Sequence, residues 1–396
     1  MQVFRILLFV FTALTIISLC HLFVLRTFIR AFPLIDEKQT DLLYFIVGLV
    51  AFLMPLSMPI VKFFPNFLSR TAFLAAAYWM ALFFNLFFLT LFGWLVSQLA
   101  SLVGREVPTS AVLLLVALLS LGVTAFGLLK AAYPEVRHFT IEMENLPKEW
   151  QGKKIVHLSD LHLGHILGNR FMSYVANKVA EQNPALVVVT GDLFDGLGGD
   201  FLSYVPAINE LKAEKGVFMV VGNHEVYTKE SSMALALPKT NLQILDNKIV
   251  EIDGLQLFGV GFPGLSGEKG KAVMEYFRAN LDKNKPTILL QHLPTSMKQK
   301  GNNSAERHNS TYWYPDTNFE LNRSLGVDLQ LSGHTHAGQF FPFGHLAQKI
   351  YGGFDCNLHT LGDFQIFISG GTGTFGPPIR TAGRSEIVVF TLKTKS

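Results

Sequence analysis

The sequence predicts two parts: an N-terminal region of four membrane-spanning helices, followed by an α/β domain. Three observations carry this. The first 132 residues hold four long apolar runs with no internal charge. From Lys154 onward, short apolar runs alternate with segments of helical spacing. Five clusters of Asp, His and Asn then follow strand-like runs.

The apolar runs are about 4–25, 42–61, 72–99 and 111–129, which defines a transmembrane region over 1–132. Each is long enough to cross a hydrocarbon core of ~30 Å as a helix. The first run is longer than the apolar part of a signal peptide and no small-residue cleavage site closes it, so it is read as a retained span. A buried soluble bundle is the alternative, and four charge-free runs in succession argue against it. Trp79 and Trp94 suit membrane interfaces, as does His21 at the end of the first run. No span carries the buried charges that transport or a proton relay uses, so the region reads as an anchor. Four spans put both termini on one side. That side collects Arg5, Lys62, Arg70, Lys130 and Arg137, against Arg26, Arg30, Lys38 and Arg105 on the other. Five against four puts the C-terminal domain in the cytoplasm of a multi-pass cell-membrane protein.

Composition agrees with this division. The chain is 49% hydrophobic with 35 Phe, and its mean hydropathy is +0.33. The net charge of +3 arises in the first 132 residues. The remainder is near neutral and lacks the basic footprint of nucleic-acid binding, so no nucleic-acid partner is expected. Cys20 lies in an apolar run and Cys356 in a Gly-rich loop, which gives no sign of a disulfide framework.

Residues 133–152 read as a linker and first strand, and 153–396 as the α/β domain. Lys154–Leu158, Ala185–Val189 and Val217–Val221 read as strands, with helical spacing over Asn169–Glu181 and Phe201–Lys212. Leu255–Val260, Thr287–Leu290, Val327–Leu331, Phe364–Ser369 and Glu386–Thr391 are later strands, expected in a more antiparallel second sheet. Open α/β sheets gather ligands at the carboxyl ends of their strands, and the polar clusters stand there.

These clusters are Asp160-Leu161-His162, Gly191-Asp192, Gly222-Asn223-His224-Glu225, Gln291-His292 and Gly333-His334-Thr335-His336. Carboxylate, amide and imidazole donors suit Mn, Fe, Zn, Mg or Co rather than a thiolate-bound metal. Together they hold the donors of a two-metal site.

In these segments, and across about residues 150–394, the chain resembles the calcineurin-like metallophosphoesterase superfamily. Ser332-Gly-His-Thr-His-Ala-Gly-Gln339 and the closing Pro378-Ile-Arg380 and Arg384-Ser-Glu386 look closest to its membrane-associated bacterial branch. The resemblance implies a four-layer αββα sandwich. It implies that Asp160, His162 and His336 ligate one divalent metal, that Asn223, His292 and His334 ligate a second, and that Asp192 bridges them. It further implies a metal-bound hydroxide as nucleophile and His224 as the group that assists the leaving alkoxide. A carboxylate between two cations about 3.5–4 Å apart screens their repulsion, which agrees with that assignment.

Asp195 and Glu225 read either as groups that orient ligand imidazoles or as ordinary loop polar residues. His157 reads as a core residue. Arg380, after a Gly-rich run from Gly370, is a candidate phosphate contact or part of a structural turn. His165 is a candidate substrate contact or a solvated side chain. The polar stretch Lys298–Asp316, with Tyr312, Trp313 and Tyr314, reads as a lid, a membrane-touching loop or a plain exposed loop. A capping-box pattern, Thr317 to Glu320, is expected to open a short helix after it.

The expected function is an integral membrane phosphohydrolase acting on a phosphodiester or an amphiphilic, lipid-linked nucleotide phosphoester. The partners would then be that substrate and membrane lipids. The alternative is a membrane sensor that keeps the domain as a binding module.

Overall fold

The structure is a computed structural model that describes residues 2–32, 36–228, 231–265, 267–297 and 315–395. The aromatic stretch around Tyr312–Tyr314 lies outside the described residues. The chain divides into two compact units, Met1–Leu129 with Gly376–Ile379, and Lys130–Phe375 with Arg380–Ser396.

Four helices make up the first unit, α1 (Gln2–Ala31), α2 (Glu37–Phe63), α3 (Phe67–Leu102) and α4 (Thr109–Ala132), the last three residues of α4 falling in the second unit. All four are long and apolar enough to cross a membrane. Each outruns its apolar stretch. α3, at 36 residues, is roughly 54 Å long. Asp36 opens α2 by accepting from the backbone N–H of Gln39 at 2.7 Å, while Gln39 returns a bond to the N–H of Asp36. Asn66 and Ser69 do the same for α3. Pro55 and Pro59 both stand inside α2. His21 is buried rather than interfacial. It donates from Nδ1 to the carbonyl of Ile17 at 2.8 Å, accepts from the Trp79 indole at 3.2 Å, and stacks on Phe83.

The second unit contains twelve described strands: β1 (Glu135–Met143), β2 (Lys154–Leu158), β3 (Leu186–Thr190), β4 (Val217–Val220), β5 (Leu242–Ile244), β6 (Lys248–Ile252), β7 (Leu255–Val260), β8 (Thr287–Gln291), β9 (Leu329–Ser332), β10 (Asn357–Leu361), β11 (Phe364–Ile368) and β12 (Glu386–Thr394). They form two six-stranded sheets, ordered β1-β12-β2-β3-β4-β5 and β10-β11-β9-β8-β7-β6.

Side-chain alternation assembles the layers. Val156, Leu158, Val187 and Val189 point to one face of the first sheet. There they pack under helix α5 (Asn169–Ala180) through Phe171, Met172, Val175 and Val179. Ile155, Leu186, Val188 and Val220 point to the other face and meet Leu257, Ile288, Leu290 and Leu331 of the second sheet. Phe258, Leu289 and Ile368 face outward from the second sheet against Phe277 of helix α6 (Gly267–Asn280). Sheets buried on both faces need strands that are apolar throughout, as Leu-Val-Val-Val-Thr and Thr-Ile-Leu-Leu-Gln nearly are. Each fully buried Leu, Ile or Phe contributes about 1.5–3 kcal/mol. The result is the expected αββα stack.

Three details differ from the sequence reading. The second sheet is parallel at its centre, β11-β9-β8-β7, with antiparallel pairs only at its two edges. The stretch 133–152, read as linker and first strand, holds β1, which runs parallel to β12 over nine residue pairs. Phe201–Lys212 is not one helix. It is a 3-10 turn, Phe201–Tyr204, followed by the four-residue turn Val205–Ile208, with Pro206 at the junction. Lastly, the helix Glu320–Ser324 has Phe319 as its N-cap with no side-chain cap bond, in place of the expected capping box from Thr317, and Asn318 accepts from the Glu320 N–H at 3.1 Å.

Candidate metal centre

Five strands with buried, apolar interiors end on one rim. β2, β3 and β4 are mutually parallel, as are β8 and β9. Their carboxyl ends carry Asp160 and His162, Asp192, Asn223, His292, and His334 with His336.

The loops that leave these strands turn at once. Asp160 (φ +52°), His162 (+47°), Asp192 (+52°), His334 (+74°) and His336 (+51°) all occupy left-handed backbone. Each such non-glycine residue costs roughly 1–2 kcal/mol. Strain repeated at five polar side chains marks a site that the surrounding fold holds in place. Gly191 supplies the close approach this requires. At φ +86°, a Cβ there would lie 2.7 Å from both Gly222 Cα and His292 Nδ1.

The donors form two groups. In the first, His162 Nε2 and His336 Nε2 lie 3.0 Å apart, and Asp160 Oδ1 is 3.5 Å from His336 Nε2 and 4.0 Å from His162 Nε2. In the second, Asn223 Oδ1 is 2.9 Å from His292 Nε2 and 3.0 Å from His334 Nδ1, and those two nitrogens are 3.2 Å apart. Asp192 Oδ2 faces both groups, 3.9 Å from His162 Nε2 and 3.2 Å from His292 Nε2. Its other oxygen accepts the backbone N–H of His224 at 2.9 Å.

Around these donors lies a layer of fixed partners. His292 Nδ1 donates to the Thr190 carbonyl at 2.7 Å, which turns Nε2 toward Asn223 and Asp192. Ser159 Oγ donates to Asp160 Oδ2 at 2.6 Å, and the backbone N–H of His334 donates to the same carboxylate. His224 Nδ1 donates to the Asp195 carbonyl at 2.6 Å. Glu225 accepts three backbone N–H groups, from Asp192 (3.0 Å), Phe194 (3.1 Å) and Gly222 (2.8 Å). Glu225 therefore pins two motif loops together and orients no imidazole.

The electrostatics follow from burial. Burial, with His224 nearby, pushes His162 down to about 3. Burial and His292 bring His334 to about 3 as well. Burial, His162 and Arg380 hold His336 well below its ordinary value. Burial would also lower His292, but the carboxylates of Asp192 and Asp160 outweigh it and raise His292 to about 9. Burial would raise Asp192, yet the imidazoles of His292, His224 and His162 hold it well below the carboxylate range. Burial and the Asp192 charge lift Asp160 to about 6.

These residues fit divalent metal ions. Imidazole nitrogens, an amide oxygen and carboxylate oxygens converge at separations that only protons or cations make favourable. The His162 Nδ1 has no hydrogen-bond partner, so its ring is not held by a second bond. Two trios, Asp160–His162–His336 and Asp192–His292–His334, each have ligand atoms within 4.8 Å of one another, and a third, His162–Asp192–His224, shares a residue with each.

Two sequence candidates, Arg380 and His165, are buried. Arg380 is fully buried and spends its guanidinium on the protein, donating to the His336 carbonyl at 3.0 Å and to Gly373 at 2.7 Å. Burial lowers it to about 10. It braces the His336 loop from behind rather than facing outward. The Gly-rich run serves the same packing, because a Cβ on Gly373 would strike the Leu161 carbonyl and lie 2.9 Å from that of Asp160. His165 is buried, not solvated, and stands outside the three trios. His157 is a core residue, bonded to Thr190 Oγ1 at 2.7 Å. Sequence reasoning missed Ser159 and Thr190, whose only signal is their position at the ends of β2 and β3.

The profile of calcineurin-like phosphoesterases matches residues 153–338. An uncharacterized metallophosphoesterase of Campylobacter jejuni is 32% identical over 98% of this chain and 99% of its own length. A transmembrane protein with metallophosphoesterase domain from Danio rerio is 30% identical over 83% of this chain and 74% of its own. Among solved structures, a dimetal phosphatase from Danio rerio covers 61% of this chain and 93% of its own, at 13% identity and a TM-score of 0.38.

Proposed function

The chain belongs to the calcineurin-like metallophosphoesterases, and we propose that it is an integral membrane phosphohydrolase with a dinuclear centre that acts on an amphiphilic phosphodiester or pyrophosphate. The observation that carries this reading is Asp192, whose Oδ2 stands between His162 Nε2 and His292 Nε2 of the two donor groups. In it, Asp160, His162 and His336 hold one divalent cation, Asn223, His292 and His334 hold the other, and Asp192 is shared. Two such cations, when bound, supply an activated water and neutralise phosphoryl oxygens.

The protein's own groups do the rest. His224 keeps its Nδ1 proton on the Asp195 carbonyl, so Nε2 is the atom that exchanges a proton with the leaving oxygen. Glu225, Ser159 and Thr190 hold the donor loops against their strained backbone. Arg380 fixes the carbonyl of His336. The four apolar helices support an amphiphilic substrate met at a bilayer, with the catalytic unit on the cytoplasmic side by its count of basic residues. A reporter fused after Ser396 reads that sidedness, and an external signal would reject it.

The test uses the full chain in detergent, stripped of metal and reloaded with Mn²⁺. Metal content by mass spectrometry and hydrolysis of a chromogenic phosphodiester and monoester are measured beside Asp192→Ala. The expected result is two ions per chain and turnover that Asp192→Ala abolishes. One ion per chain, or equal turnover in the variant, would reject the shared-carboxylate reading.

A further inference from the structure

One aromatic side chain at the metal centre does nothing for the core. Phe375 is 45% exposed, yet its ring lies 5.1 Å from that of His224 in an edge-to-face arrangement and 5.6 Å from that of His162. Its position is fixed from below by Gln339. That amide donates from Nε2 to the Phe375 carbonyl at 2.9 Å and accepts the Phe375 N–H on Oε1 at 3.0 Å. Gln339 is itself buried and held in left-handed backbone, φ +45°, with its own carbonyl accepting from Thr381 and Ala382. A buried residue whose amide bonds both the N–H and the carbonyl of Phe375 fixes the backbone from which that ring projects.

We infer that Phe375 is a substrate-contacting residue that selects phosphoesters carrying an aromatic group next to phosphorus, with Gln339 as its positioning residue. The inference rests on the reading of His224 and the donor cluster as a phosphoester-hydrolysing site. A phosphoryl group held among the donors lies beside His224 and His162, and the exposed Phe375 ring abuts both imidazoles, which brings the organic substituent within reach of that ring. Aromatic rings prefer offset or edge-to-face contact at 4.5–7 Å, and such pairs add affinity beyond the area they bury. A flat aryl or nucleobase group gains from this contact and a small alkyl group does not.

The probes are phenylphosphonate and methylphosphonate, which bind without turning over. Their affinities for the Mn²⁺-loaded full chain are measured by calorimetry, with circular dichroism as a check on folding. Wild type is expected to prefer phenylphosphonate by about three- to tenfold. Phe375→Ala is expected to bring the ratio to about one, Phe375→Trp to keep it, and Gln339→Leu to lower it while Phe375 is still present. A ratio near one in wild type, an unchanged ratio in Phe375→Ala, or no phosphonate binding at all would overturn the inference. Failure of the hydrolase reading looks different: wild type would show no metal-dependent turnover of a chromogenic diester, while the phosphonate ratio could still be read.

Discussion

The helical unit and the α/β unit satisfy their polar groups in opposite ways. In the helical unit a hydroxyl turns back on its own helix. Thr12 donates to the Leu8 carbonyl, Thr27 to Phe23 and Ser120 to Val116, each four residues earlier. Among the described residues, the bonds between helices include Trp79 to His21 and Asn85 to Thr124. At the metal centre the partners come from far along the chain: Glu225 from 33 residues beyond Asp192, Thr190 from 102 before His292, Asp160 from 174 before His334. Local satisfaction makes a segment robust and chemically quiet. Long-range satisfaction makes a cluster whose geometry depends on the whole domain, and only such a cluster keeps strained backbone and unshielded donors in place.

The sharpest way to break this contrast is at His224. General acid–base groups contribute typically 10²–10⁴-fold to a rate. His224→Ala is expected to lower kcat of the Mn²⁺-loaded protein by that order while metal content stays at the wild-type level. Loss of metal together with activity would make His224 a ligand, in line with its place near His162 and Asp192, and would redraw the donor groups. Unchanged kcat would remove it from the chemistry.

Glu225 tests the long-range pinning itself. Its carboxylate holds three backbone N–H groups of two loops, against burial and the Asp192 charge that together lift it to about 7. Glu225→Gln turns an NH₂ toward at least one of those donors and loses that bond. Groups that orient metal ligands cost typically 10–100-fold in metal affinity or activity when changed. A drop of that size in Mn²⁺ affinity, with helical content preserved by circular dichroism, is expected. Full affinity and activity would show that the loops hold their strained turns without it.

The same contrast explains what the sequence disclosed. The five clusters were legible because each follows an apolar run such as Ala-Leu-Val-Val-Val, whose strand identity needs no partner to be read. The four helices were legible because absence of charge over twenty residues is a local property. The left-handed turns at Asp160, His162 and His336 were not, because neither Asp nor His announces positive φ as Gly does. The grip of Glu225 and the burial of Arg380 depend on loops brought together only by folding. Edge strands such as Lys-Ile-Val-Glu-Ile and Asn-Leu-His-Thr-Leu went unread because their one solvated face dilutes the apolar signal, and with them went the parallel centre of the second sheet.

The smallest effect belongs to the helical unit, at one of its bonds between helices. Asn85 donates from Nδ2 to Thr124 Oγ1 at 2.9 Å and to its own helix at the Ala81 carbonyl, 3.2 Å away. Thr124→Val keeps the side-chain shape and removes the hydroxyl, while Asn85 keeps its local acceptor. Hydrogen bonds between membrane helices average about 0.6 kcal/mol, because the separated helices also find partners. Thermal unfolding in detergent is expected to shift by no more than a few degrees, with kcat and Mn²⁺ affinity within error of wild type. A large loss of stability would mean that the helical unit also depends on contacts distant in sequence. A change in kcat with stability intact would mean that the helices act on the chemistry, and the division between a quiet helical unit and a reactive domain would fall.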